Sequence, residues 1–144
     1  MQYYKKLSHT VYDCTYHIVW VTKYRYNILV GDIGRRVKDL IQEICKNNGV
    51  EILRGKIASN HVHIYVSVPS YQSISKGVQY LKGKSARKIQ HEFPELRQQY
   101  WGKHLWAVGY FVRTTGNVTD KMIKDYIDKH ESRDDKFGNF QVEN

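Results

Sequence analysis

Residues 57–68 read IASNHVHIYVSV and alternate on a period of two up to Pro69. Side chains two positions apart on a β-strand point to the same face of its sheet. One face of this predicted strand is apolar and buried: Val62, Ile64, Val66 and Val68. The other face carries His61, His63 and Tyr65. Two imidazoles held side by side on rigid backbone can supply two nitrogens to one divalent metal ion. The spacing alone leaves a second interpretation open, a pair of half-exposed strand histidines with no metal.

The segments around this strand predict the rest of the fold. Residues 50–58 form a second strand, and Ser59-Asn60 provides the tight turn of a hairpin. The other predicted elements are a first strand at 11–22, helices at about 32–46 and 73–90, a fourth strand at 104–114, and a last helix at 118–131 that Asn117 caps. The order strand, helix, strand, strand, helix, strand predicts an α+β, ferredoxin-like antiparallel sheet with both helices on one face. The C-terminal helix is added to that pattern.

Length and composition limit the class of protein. A chain of 144 residues suits one domain, predicted here at 1–133, followed by a polar tail at 134–144. No stretch is apolar for long enough to span a membrane. Cys14 and Cys45 are too few for a disulfide framework, and no signal-peptide core follows Met1. We therefore expect a reduced, cytoplasmic compartment and no membrane partner.

The charge of the chain predicts a polyanionic partner. The formal net charge is +9, and no acidic residue lies between Ile74 and Gln90 on the second helix. A solvated helix face usually mixes charges of both signs, so a face of one sign favours contact with nucleic-acid phosphates. Twelve tyrosines also suit stacking on single-stranded bases. The candidate DNA contacts on this helix are Lys82, Lys84, Arg87 and Lys88. Further candidates outside it are Lys23, Arg25, Arg54 and Lys56.

The last helix offers a second chemical feature. Met122, Tyr126 and His130 are four residues apart and therefore share one face. A tyrosine beside a metal ligand can attack phosphorus and remain covalently bound to its substrate. From the spacing alone, a half-buried tyrosine packed beside a surface histidine is the simpler interpretation.

An ordered set of motifs resembles the small single-tyrosine HUH transposases, in which HUH denotes histidine-hydrophobe-histidine. These enzymes serve insertion sequences that move as single-stranded DNA. The matching stretches cover nearly the whole chain: YHIVW at 16–20, TKYR at 22–25, NHVHI at 60–64, YLKGKS at 80–85, EFP at 92–94, WG at 101–102, HLW at 104–106, GYFV at 109–112, VTD at 118–120 and YI at 126–127.

The resemblance implies a site and a mechanism. His61 and His63 would bind a divalent cation, Mg²⁺ or Mn²⁺, and Tyr126 would attack DNA to form a 5′-phosphotyrosine. His130 stands where the family commonly has a glutamine ligand, which could shift the metal preference from Mg²⁺ towards Mn²⁺ or another ion that tolerates three imidazoles. The family also implies recognition of hairpin ends in single-stranded DNA, and a homodimer that exchanges its C-terminal helices. A glycine-containing linker at 114–117 would make that exchange feasible.

Three functional classes follow from these observations. The first is a transposase that cleaves and rejoins single-stranded DNA without ATP. The second is a non-catalytic domain on the same fold that binds single-stranded or hairpin nucleic acid. The third is a metal-dependent hydrolase that uses bound water and leaves Tyr126 incidental. A covalent protein–DNA adduct distinguishes the first class from the other two.

Overall fold

The computed structural model describes residues 5–7, 10–100, 104–114 and 119–134, without the side chains of residues 7, 10, 120 and 129–134. The strands are β1 (Lys5–Leu7), β2 (Thr10–Tyr12), β3 (Thr15–Val21), β4 (Glu51–Ile57), β5 (His61–Ser67) and β6 (Phe111–Arg113). The helices are α1 (Gly31–Asn47), α2 (Ile74–Glu92), α3 (Pro94–Gln99) and α4 (Asp120–Asp134). A short 3₁₀ turn spans Lys23–Arg25. No helix among the described residues is both long and apolar enough to cross a membrane.

The main sheet has four antiparallel strands in the order β4-β5-β3-β6. This order follows from the predicted strand–helix–strand–strand–helix–strand pattern, and the ferredoxin-like α+β architecture is confirmed. The predicted hairpin is also present, because β4 pairs with β5 across the turn at Ser59-Asn60. The register places His61 opposite Val21 and His63 opposite Val19 on the central strand β3.

The hydrophobic core lies between the sheet and the helices α1 and α2. The sheet contributes alternate residues of its two central strands: Ile18, Trp20, Val62, Ile64 and Val66. The α1 helix contributes Val37, Leu40, Ile41 and Ile44, and α2 contributes Val78, Leu81 and Ile89. Apolar side chains on one stripe of each helix thus cover one sheet face, and the histidines of β5 are left on the opposite face.

Two predicted strands differ from those in the structure. The predicted first strand at 11–22 is two strands, because residues 13 and 14 interrupt the extended chain and β2 pairs with β1 instead. The predicted strand at 104–114 is regular only at Phe111–Arg113. Before it, Leu105, Trp106 and Ala107 are all buried, and Gly109 has a positive φ of 89°. Residues 104–110 form only one isolated bridge, between Trp106 and Thr22, so the chain here is irregular.

The ends of the helices are set by local side chains. The α2 helix begins after Ser73, whose hydroxyl accepts a hydrogen bond from the Lys76 amide, as the predicted start at 73 requires. The short α3 helix, absent from the prediction, begins at Pro94. The Thr119 hydroxyl accepts from the Met122 amide at 3.1 Å at the start of α4. The predicted Asn117 cap and tail residues 135–144 lie outside the described residues.

Candidate active site on the open face of the sheet

Four strands contribute to the sheet face opposite α1 and α2. One row of cross-strand neighbours runs from Phe111 on β6 through Val19 on β3 and His63 on β5 to Lys56 on β4. The two histidines of β5 thus lie near the middle of an open face. Both are on the same face of the sheet, as their period-two spacing predicted. Rigid strand backbone on both sides fixes the position of each imidazole.

His61 is held in one orientation by its neighbour in sequence. The Nδ1 atom of His61 lies 2.9 Å from the Oδ1 atom of Asn60, so Nδ1 donates and Nε2 keeps its lone pair. Burial, followed by the nearby charges of Lys56 and His63, lowers the pKa of His61 to about 4. A neutral imidazole with a fixed tautomer is the form that binds metal ions. Asn60 thus orients the His61 ring.

His63 has a third imidazole as its partner. His17 on β3 places Nδ1 3.2 Å from Nε2 of His63, and its ring stacks on Tyr65 at a centroid distance of 4.3 Å. His17 is only 6% exposed. Burial, with the neighbouring charges of His63, Arg54 and Arg113, lowers the pKa of His17. Sequence reasoning gave His17 no role, although it lies within the YHIVW motif that carries the family resemblance.

Tyr126 lies on the helix that covers part of this same face. Its ring contacts Phe111 at a centroid distance of 5.9 Å, and the next residue, Ile127, packs with Val21 and Ala107. Phe111 is two strands away from His63 in the same row, roughly 10 Å between Cα atoms at ordinary strand spacing. The Tyr126 hydroxyl is buried, although the residue as a whole is half-buried. The fold thus places the predicted nucleophile on a helix that packs on the same sheet face as the histidine pair.

The predicted third ligand lies in α4, but its side chain is outside the described part of the chain. The position of His130 one turn after Tyr126 agrees with the predicted helix. Among the described side chains, no three His, Cys, Asp or Glu groups converge closely enough to hold a metal ion. The donors that the described residues offer are therefore His61 on its own and the contacting pair of His17 and His63. Imidazole nitrogens suit a transition-metal cation better than Mg²⁺.

Comparison with known proteins places this chain in a family. A family model described as "Transposase IS200 like" matches residues 10–130. The chain belongs to the IS200-like transposases. It is 37% identical over 134 residues to the transposase of insertion sequence element IS200 from Salmonella typhimurium, covering 93% of this chain and 87% of the relative. It is 36% identical over 132 residues to the ISDra2 transposase TnpA of Deinococcus radiodurans, covering 92% of each.

Solved structures support the same assignment. A crystal structure from Deinococcus radiodurans R1, described as that of a transposase, superposes with a TM-score of 0.81 at 35% identity and covers 88% of this chain and 97% of that one. A REP-associated tyrosine transposase bound to a REP hairpin superposes with a TM-score of 0.55, covering 96% of this chain and 73% of that one. At 16% identity the second likeness shows the fold alone. Membership of the IS200-like transposases implies that the chain is an enzyme that cleaves and transfers DNA.

Two of the predicted DNA contacts of this IS200-like transposase lie beside the histidines. Arg54 and Lys56 are exposed on β4, opposite Tyr65 and His63 respectively. Together with His17 they line a cavity of about 200 Å³. Cations at the rim of a site that processes DNA can hold phosphates in place. They lie on the open face, and their contact with DNA stays a prediction.

The predicted contacts on α2 differ among themselves. The Lys82 ammonium donates to the carbonyl oxygens of Ala107 at 2.9 Å and Gly109 at 2.7 Å, so it ties α2 to the loop before β6. The Lys84 ammonium donates to the Tyr80 hydroxyl at 3.1 Å. Arg87 is exposed and Lys88 is half-buried. A contact of these four residues with DNA stays a prediction, and Lys82 already has a structural role.

The basic loop after β3 contacts the tyrosine helix. The Nη1 atom of Arg25 lies 3.5 Å from the Oδ1 atom of Asp128 on α4. The Lys23 ammonium lies 5.0 Å from the centre of the Tyr24 ring. Tyr24 and Arg25 both have positive φ, at 60° and 55°, which is uncommon for residues other than glycine. The loop thus has a constrained shape next to α4, and the predicted contacts of Lys23 and Arg25 with DNA would form at the end of the site near that helix.

Proposed function

We propose that this IS200-like transposase cleaves and rejoins single-stranded DNA through a 5′-phosphotyrosine at Tyr126. One observation carries the proposal: α4 lies on the sheet face that bears the histidines, with Tyr126 against Phe111 and Phe111 in the cross-strand row of His63. A phenol on the same sheet face as two histidines suits attack on a phosphodiester, because the phenol can act as a nucleophile and the imidazoles can bind a metal ion. That the substrate is DNA follows from membership of the transposase family.

In the proposed cleavage, the Tyr126 oxygen forms a bond to phosphorus and the bond from phosphorus to the 3′-oxygen breaks. The phenol proton leaves to solvent or a neutral imidazole, and the departing 3′-oxygen takes up a proton to become a hydroxyl. A different 3′-hydroxyl can then attack the phosphotyrosine and release Tyr126, so rejoining needs no ATP. His61, His63 and His130 would hold a divalent cation, Mg²⁺ or Mn²⁺. When bound, that cation would offset the charge that develops on the phosphate.

The proposed substrate is single-stranded DNA with hairpin ends. The REP-associated neighbour of similar fold is bound to a hairpin, which supports the same class of ligand here. The net charge of +9 provides the general attraction to phosphates. Arg54 and Lys56 would hold the strand beside the histidines, and Arg87 and Lys88 would hold DNA along α2.

We further propose a homodimer with exchanged C-terminal helices. Excision needs two cleavages, and one tyrosine can hold only one 5′ end, so two sites are required. Within a single chain α4 rests on its own sheet through apolar contacts and the ion pair of Arg25 with Asp128. An exchanged helix would make the same contacts with a partner's sheet. The hinge predicted at 114–117 includes residues 115–117, which lie outside the described residues.

The nucleophile is tested with Tyr126→Phe and a matched control, Tyr71→Phe. The control residue is 76% exposed in the loop before α2. Each protein is incubated with labelled single-stranded hairpin DNA and Mn²⁺, and covalent adducts are resolved on a denaturing gel. We expect Tyr126→Phe to bind DNA normally and form no adduct, because only the attacking hydroxyl is lost. The control should form as much adduct as the unmodified protein.

The same gel separates the competing functions. Persistent adduct in Tyr126→Phe would assign the nucleophile to another tyrosine. DNA binding without any cleavage in the unmodified protein would support a non-catalytic binding domain. Cleavage to a free 5′-phosphate, equally fast in Tyr126→Phe, would support a hydrolase that uses water.

Mixed dimers test the exchange. One chain carries His61→Ala, the other Tyr126→Phe, and dimers containing one of each are purified with two different tags. With exchanged helices, one site joins the intact histidines of the Tyr126→Phe chain to the intact tyrosine of the His61→Ala chain, so an adduct forms on the His61→Ala chain alone. If each site takes its histidines and its tyrosine from the same chain, both sites of the mixed dimer are defective. A purified mixed dimer that forms no adduct would therefore contradict the exchange.

A further inference from the structure

The pair formed by His17 and His63 has the spacing of two ligands of one cation. The Nδ1 atom of His17 and the Nε2 atom of His63 are 3.2 Å apart. Imidazole nitrogens lie about 2.1 Å from a first-row divalent metal, so two ligands at 90° to 109° are about 3.0–3.4 Å apart. The observed separation corresponds to an angle of about 100° at a shared cation. The two rings therefore need little movement to bind one ion.

The surroundings of the pair order the His17 ring and leave room for further ligands. His17 is buried and stacked on Tyr65, so its ring is already ordered before any ligand arrives. The cavity of about 200 Å³ that both histidines line leaves room for further ligands, such as water or a phosphate oxygen. Arg54 and Lys56 at the same cavity would draw a DNA phosphate towards the cation.

A hydrogen bond between the rings accounts for the same separation without metal. In that arrangement one imidazole donates its N–H and the other accepts through its lone pair. A cation would replace the shared proton, and both nitrogens would then act as lone-pair donors. The two states differ in which atom lies between the rings.

We propose that His17 Nδ1 and His63 Nε2 bind the same divalent cation, which makes His17 a metal ligand outside the histidine-hydrophobe-histidine pair. This rests on the proposed function for the presence of a cation at the site, and it adds a ligand from β3. The metal site then spans the adjacent strands β3 and β5.

The test counts coordinated imidazole nitrogens on bound Mn²⁺ in the full chain without DNA. Histidines are labelled with ¹⁵N, nitrogen couplings are read by pulsed electron paramagnetic resonance, and affinity is read from the free Mn²⁺ signal. His17→Phe keeps a ring to stack on Tyr65 but removes the nitrogen. His17→Asn places an oxygen near the former Nδ1 position. His91→Gln, at an exposed position on α2, is the control.

We expect His17→Phe to lose one coordinated nitrogen and to bind Mn²⁺ at least about tenfold more weakly. His17→Asn should also lose that nitrogen but recover part of the affinity, which shows that any loss in His17→Phe is not misfolding. His91→Gln should match the unmodified protein. An unchanged nitrogen count in both His17 variants would overturn the proposal, even with weaker binding, because His17 would then only position His63.

The same measurements separate this inference from the proposed function. If unmodified protein binds no Mn²⁺, both the inference and the metal-dependent mechanism fail. If Mn²⁺ binds with the His17 nitrogen in place but no protein–DNA adduct forms, the proposed chemistry fails and the inference stands. If adduct forms normally and the His17 variants keep every coordinated nitrogen, only the inference fails.

Discussion

Replacing Lys82 by methionine should destabilise this IS200-like transposase more than its surface position suggests. The ammonium donates to the carbonyls of Ala107 and Gly109, at 2.9 and 2.7 Å. Ala107 is 1% exposed, and its amide donates to the carbonyl oxygen of Val21 on β3 at 2.9 Å. The loop before β6 is therefore fixed between α2 and the central strand β3. Methionine keeps the aliphatic stem of lysine and removes only the donor.

The magnitude follows from these two bonds. A hydrogen bond to a charged group contributes about 1.5–3 kcal/mol. Water can replace the donor at the exposed Gly109 carbonyl but less readily at Ala107. We therefore expect Lys82→Met to lower the free energy of unfolding by about 2 kcal/mol, which in a domain of this size lowers Tm by about 6 °C. Arg87→Met, at an exposed position on the same helix, should change stability by less than about 0.5 kcal/mol.

Urea unfolding and a DNA-binding titration in salt distinguish a structural role for Lys82 from a DNA contact. A structural Lys82 lowers the urea midpoint and leaves the slope of log affinity against log salt unchanged, whereas each lost phosphate contact flattens that slope by about 0.7–0.9. Arg87→Met should show the reverse pattern. Unchanged stability in Lys82→Met together with a flatter salt slope would refute this reasoning and assign the ammonium to DNA.

Three further results are expected. The pKa of His61 is about 4 in the folded protein and about 6.5 in the unfolded chain, so between these values only the unfolded chain takes up the proton. The free energy of unfolding in EDTA should therefore fall by up to about 3 kcal/mol from pH 6.5 to 4. In urea titrations, His61→Gln should make that fall smaller. Ser85→Ala should lower the free energy of unfolding by about 1–3 kcal/mol in the same assay, because the Trp106 indole N–H loses its acceptor at 3.0 Å. Burial raises the pKa of Cys45 to about 11, so a thiol reagent at pH 8 should modify it only after urea unfolding, whereas Cys14 is half-buried and should react in the folded protein.

Elements with a clear local period were predicted well. The α1 and α2 helices and the β4–β5 hairpin lie within two residues of their predicted bounds, because apolar spacing alone defines a helix or strand that covers one core. The stretch at 104–114 was predicted as one strand and is mostly irregular. Its apolar residues pack into the interior in succession, and composition cannot distinguish that from strand pairing. The α3 helix was missed because six residues carry too short a period.

The sequence by itself determined the open-face pair of His61 and His63, because a period of two puts both side chains on one side of whatever sheet the strand joins. Through its motifs it also determined the family and the predicted nucleophile, Tyr126. Only the tertiary structure decided that His17, 46 residues away from His63, touches it, because cross-strand register is set by the pairing of β3 with β5. Likewise, the sequence gives Lys82 and Arg87 the same charge, and only packing brings two carbonyl oxygens to Lys82 and leaves Arg87 in solvent. Local patterns fix which face a side chain takes, and the partner that it meets there comes from segments far apart in the chain.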